Sequence, residues 1–143
     1  MSLPLYDGKR SDGRTFCGPW CVMSITGRPY EEVRAAINDY RGRRPTQAVK
    51  GTHANELRAA LWKFGYTESE IARFRGDERP TLAAWLRSGK RRPDLYYLIT
   101  VSNHWVLVAG NRLTDTYSGG PVLLRDAPWR RALVSRVIAV RKR

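Results

Sequence analysis

Cysteine, histidine and acidic side chains are all scarce in this sequence. Two cysteines and two histidines in 143 residues do not make a disulfide framework. Cys17 and Cys21 stand at C-x3-C spacing, which is neither the C-x-x-C of thioredoxin-like redox motifs nor half of a common zinc knuckle. Together with His53 and His104 they form only a weak zinc pattern, so no metal and no other cofactor is expected. No run of 18 or more apolar residues occurs, which excludes a membrane-spanning helix. The opening "MSLPLYDGKR" lacks a charged stretch followed by an apolar one. A soluble chain that acts where it is made, or is packaged from there, is expected, with no membrane partner.

What is abundant is arginine. Lys and Arg number 26 against 13 Asp and Glu, a net charge of +13, and such a field attracts polyanions. The basic residues cluster in "RGRR" at 41–44, in "RSGKRRP" at 87–93, and from Arg125 to Arg143. No aromatic residue is interleaved with the first two clusters, so they do not form a stacking platform for single strands. Nucleic acid or another polyanion is thus a candidate partner on electrostatic grounds alone.

Apolar residues make up 42% of the chain, and its length suits one moderate core. One domain over residues 1–143 is expected, helical over about 14–90 and β over about 95–141. Pro29 opens "PYEEVRAAINDY", in which Tyr30, Val33, Ile37 and Tyr40 share one helical face. "RGRRPTQAVKG" reads as an exposed basic loop. Thr52 then caps "HANELRAALWKF", whose Leu57, Leu61 and Phe64 share a face before Gly65. Thr67 with Glu70 reads as a capping box for a short helical turn through Ile71 and Phe74, and Thr81 caps "LAAWLRS". From Leu95 the pattern changes to strands: "LYYLITV", the turn "SN", "HWVLVA", the turn "GN", then "RLTDTY", a short extended piece at 122–124 and "VSRVIAVR". Helices followed by an antiparallel meander define an α+β class.

The segment "RTFCGPWCVMSITG", residues 14–27, carries the chemistry. Gly18 and Pro19 fit the first turn of a helix that Gly27 closes, which puts Cys17 at the helix N-terminus. Free backbone N–H groups and the positive helix end favour thiolate there. Cys21, a turn further in among Val22, Met23 and Ile25, suits core packing. A thiolate acting on an acyl group needs a histidine partner and a third group that orients it. His53, at a helix start behind Thr52, is the weaker candidate; His104, opening a strand beside Trp105, is the better one. If "GN" is a two-residue turn, Ala109 pairs with Arg112 and Val106 with Asp115. His104 and Asp115 then point to one face within diagonal reach. Asp126, beyond "SGGP", is the second choice.

In its order of elements, with "CGP" at a helix start, a helical insert, "HW" opening a strand and an Asp after a tight hairpin, the chain resembles the papain-like cysteine peptidase superfamily. It looks closest to compact bacterial and phage-encoded members related to bacteriocin-processing peptidase domains. The resemblance implies a thiol hydrolase, a peptidase or amidase, in which Cys17 attacks a carbonyl carbon, His104 moves the proton, Asp115 holds the ring and Trp105 shields the site. Many members carry a glutamine six residues before the cysteine as an oxyanion donor. That offset is Ser11 here, so Ser11 or Arg14 would have to replace it. The expected partner is a peptide or protein substrate, in the cytoplasm, or in the virion if the chain is phage-encoded. Two other classes compete: an inactive papain-like fold serving as a basic structural or binding protein with assembly partners near DNA, and a nucleic-acid-binding domain reading through His53, Asn55, Arg58 and Lys63.

Overall fold

The computed structural model describes residues 3–9 and 15–143. Three helices come first: α1 (Cys17–Thr26), α2 (Tyr30–Arg41) and α3 (Ala54–Lys63). Strand β1 (Tyr66–Arg73) and the short helix α4 (Leu82–Arg87) follow. Five further strands complete the chain: β2 (Tyr96–Val101), β3 (His104–Ala109), β4 (Arg112–Thr114), β5 (Val122–Leu123) and β6 (Val134–Lys142). The six strands form one sheet in the order β1-β6-β2-β3-β4-β5, with antiparallel pairings throughout.

Side-chain alternation sorts the sheet into two apolar faces. Leu98, Trp105, Leu107, Ile138 and Val140 meet the core of α1, α2 and α3. Tyr97, Ile99, Val106, Val108, Leu113 and Val137 meet Leu82 and Trp85 of α4 together with the 127–134 segment. Cover on both faces explains why β3 is buried at every position, where a half-exposed strand would alternate apolar with polar residues. Helix α1 is buried from Gly18 to Ile25, as an apolar helix without a polar face must be. Among the described residues no helix is long and apolar enough to cross a membrane.

Four local expectations need correction. Residues 67–74 do not form a capped helical turn: Thr67 and Glu70 lie in β1, where pairing with β6 satisfies the backbone, so strand enters the part expected to be helical. The last strand does not extend the meander; β6 returns between β1 and β2 and closes the sheet on its other side. Tyr40 is half exposed and accepts a hydrogen bond from Asn55 Nδ2 at 2.8 Å, away from the core face. His53, in place of Thr52, is the N-cap of α3, in a capping box with Glu56.

The loop between α2 and α3 is tied down although it carries "RGRR". Buried Asn38 donates from Nδ2 to the carbonyls of Pro45 (3.1 Å) and Gln47 (2.8 Å). Arg41 pairs with Glu56 and donates to the Gly51 carbonyl. Thr52 is thereby held against the start of α1. A Cβ on Gly18 would lie 1.9 Å from Thr52 Oγ1 and 3.0 Å from Thr52 Cβ. Gly18→Ala is expected to destabilise the protein by about 1–3 kcal/mol through overpacking, and Thr52→Ala in the same chain should recover part of it. Thermal denaturation of the single and double variants checks this; additive losses would show that the two residues do not clash.

Candidate active site

Three elements converge on Cys17. It is the first residue of α1, whose N-cap Phe16 has extended backbone and whose C-terminus is closed by Gly27 at φ 71°. Ser102 and Asn103, at φ 48° and 59°, form a tight turn in the left-handed region, the backbone of a two-residue hairpin. That turn sets His104 at the first position of β3, opposite Val101. Gly110 and Asn111 make the next turn, so that Ala109 pairs with Arg112 and Leu107 with Thr114. Asp115 follows directly after the ladder ends.

His104 Nε2 lies 2.8 Å from Asp115 Oδ2, and Cys17 stands beside the His104 side chain, close enough for each to shift the other's titration. With Nε2 committed to Asp115, Nδ1 is the nitrogen left for the sulfur. Burial pushes the Cys17 thiol up; the hydrogen bond from His104, the N–H of Trp105, the His104 charge and the N–H of Gly18 outweigh it and bring the thiol below its ordinary value. Burial likewise disfavours a charged His104. The Asp115 hydrogen bond, followed by contact with Cys17, overcomes this and lifts the imidazole to about 9. The arrangement therefore favours thiolate beside imidazolium, held by mutual attraction.

Asp115 is fully buried and well supplied with donors. Its Oδ1 accepts from the Ser118 N–H at 2.7 Å, and its Oδ2 accepts from Trp129 Nε1 at 2.5 Å as well as from His104. Burial raises its carboxyl, but hydrogen bonds from His104, Ser118 and Trp129 hold it below the usual value. Two rings enclose the imidazole: Trp129 at 4.9 Å between centroids, tilted, and Tyr117 at 5.1 Å, edge-on. Trp129 adopts φ 74°, an unfavourable backbone for a bulky side chain, and this conformation sets its indole over His104.

Other candidates fall elsewhere. His53 caps α3, and Asp126 is exposed beside Arg125. Cys21 is fully buried, and burial first, then the charges of Cys17 and Asp115, push its thiol well up. The Trp105 indole lies in the helical core and donates to the Thr52 carbonyl at 3.3 Å, while its backbone N–H turns to the sulfur. Ser11 and Arg14 lie outside the described residues. Among the described residues, no three His, Cys, Asp or Glu side chains are gathered as metal ligands.

Sequence reasoning missed Trp129, Tyr117 and Ser118. Ser118 had a local signal, since "DTYS" carries the Asp-to-Ser spacing of a side-chain-stabilised turn. Trp129 had none, because its approach to His104 depends on the chain returning over the sheet.

No family model matches the chain, and no curated protein matches it. Among solved structures, it is similar to a double-glycine-motif protease from an AMS/PCAT transporter, determined in complex with the leader peptide. The TM-score is 0.60 at 13% identity, over 99% of this chain and 94% of that one. The likeness is one of fold: this chain has the papain-like α+β fold, with the helix that begins at Cys17 packed on an antiparallel sheet.

Proposed function

We propose that the protein is a thiol hydrolase of the papain-like type, a cysteine peptidase or amidase, with Cys17, His104 and Asp115 as its triad. The observation that carries this reading is the His104 imidazole held at 2.8 Å by buried Asp115 and set beside Cys17, whose thiol it lowers. In the reaction, the Cys17 thiolate attacks the carbonyl carbon of an amide and a C–S bond forms. His104 gives its proton to the leaving nitrogen as the C–N bond breaks. Water then gives a proton to His104, adds to the acyl carbon and breaks the C–S bond, which returns the thiolate. An amine in place of water would make the same enzyme a transferase. Asp115 keeps the proton of the neutral ring on Nε2, so that Nδ1 faces the sulfur as the base. The Cys17 N–H, without an intrahelical acceptor at a helix start, supports one oxyanion contact.

The fold likeness to a protease bound to a peptide supports a peptide as the substrate. The test is cleavage of a defined mixture of short peptides, read by mass spectrometry. Wild type is expected to generate new termini, Cys17→Ala none, and wild type treated with iodoacetamide none. The alkyl group should reside on Cys17 with buried Cys21 unmodified. Cleavage that survives in Cys17→Ala, or alkylation of both thiols alike, refutes the reading.

A further inference from the structure

We propose that the groove beside Cys17 is an acidic-peptide subsite, in which Arg73, Arg75 and Arg136 select substrates carrying carboxylate side chains next to the bond attacked. The proposal deepens the hydrolase reading and rests on it for the word substrate. A groove of about 500 Å³ is lined by Thr52, Asn103, Trp105 and these three arginines, among others. Two of its lining residues neighbour the segment that carries the thiol. Trp105 sends its backbone N–H to the Cys17 sulfur, and Thr52 touches Gly18, the next residue along the chain. Asn103 immediately precedes His104. A chain laid across Cys17 has this groove beside it.

The charge of the groove is not neutralised. Glu70 Oε1 accepts from both Arg73 (2.8 Å) and Arg136 (2.9 Å), and among the described residues no carboxylate lines the groove itself. Arg75 has no acid partner among the described residues and is exposed. Among the described residues, three guanidinium groups stand against one carboxylate, which leaves two positive charges at the cavity, and arginine recognises carboxylates through its forked donors. A nucleic acid fits less well. Of the aromatic rings in its lining, Trp105 is buried and Phe74 packs against the core on the other face of the sheet, so neither is a free platform for a base, and a cavity of this size suits a few side chains.

The test uses two ten-residue fluorescein-labelled peptides, one of Gly-Glu repeats and one of Gly-Gln repeats, titrated onto the Cys17→Ala protein at low salt. The Glu peptide is expected to bind about tenfold more tightly, the scale of two partly exposed ion pairs. Arg75→Glu in the same background should abolish the difference, while Arg87→Glu, an equal charge change at the end of α4, should keep it. In wild type, saturating unlabelled Glu peptide should slow iodoacetamide modification of Cys17, which places the bound peptide beside the thiol. Equal binding of the two peptides overturns the subsite. So does insensitivity to Arg75→Glu, or tight binding with no protection of Cys17. A ten-nucleotide single strand that outcompetes the Glu peptide and protects Cys17 assigns the groove to nucleic acid instead. None of these readings requires turnover, so a failed hydrolase reading and a failed subsite are separable.

Discussion

Replacing His104 by alanine is expected to slow iodoacetamide modification of Cys17 at pH 6 by about 10- to 100-fold. A thiol of ordinary pKa is only about 0.3% thiolate at that pH. Beside His104 the Cys17 thiol ionises at lower pH and carries a larger anionic fraction, although an anion of lower basicity is intrinsically less reactive, which trims the gain. The sign follows from the two shifts. Cys17 lies below its ordinary value and His104 is raised to about 9. The ion pair therefore forms as pH rises through the lowered thiol value, and it is lost as the imidazolium gives up its proton near pH 9. Peptide cleavage should follow the same bell, because the leaving nitrogen needs the His104 proton. The rate of alkylation against pH, for wild type and His104→Ala, checks this. Superimposable curves with an ordinary thiol midpoint would sink the pairing.

Asp115→Asn is expected to lower kcat/KM on the order of 10²- to 10⁴-fold, the range for losing effective general acid–base catalysis. The carboxylate accepts from His104, Ser118 and Trp129. An amide can instead donate to Nε2, which leaves the ring proton on Nδ1, facing the sulfur, where a base is needed. The alkaline limb of the pH profile should also move down from about 9, since the Asp115 hydrogen bond is the largest contribution that raises His104. An unchanged limb would mean that Asp115 does not act on the ring. Stability carries a separate sign. The Asp115 carboxyl sits below its ordinary value, so its contribution is present above about pH 4 and disappears as pH falls through the folded-state value. In the Asp115→Asn variant that acid-side dependence should be smaller.

Both predictions concern residues that the amino-acid sequence alone makes legible. The C-terminal hairpins can be read from turn chemistry. Ser-Asn and Gly-Asn pairs between β-rich runs fix a two-residue connection, and strand parity then brings His104 and Asp115 to one face, as the observed Ala109–Arg112 pairing does. Cys17 can be placed because Gly-Pro behind it and Gly27 ahead of it mark both ends of α1.

Residues 67–74 mislead because Thr67 and Glu70 have capping-box spacing in a segment without strong alternation. What decides their state is β6, about seventy residues further along the chain, and its backbone is the partner that makes them a strand. Local propensity is worth tenths of a kcal/mol per residue; pairing and burial outweigh it. For the same reason only the tertiary structure supplies Trp129 over His104, Thr52 against Gly18 and the arginine-lined groove beside Cys17. By itself the sequence determined the ends of α1 and the hairpin register, because these depend on backbone geometry within a few positions. Which side chains enclose, support and charge that site was decided by contacts between segments far apart in the chain, whose energies arise only once the sheet has closed.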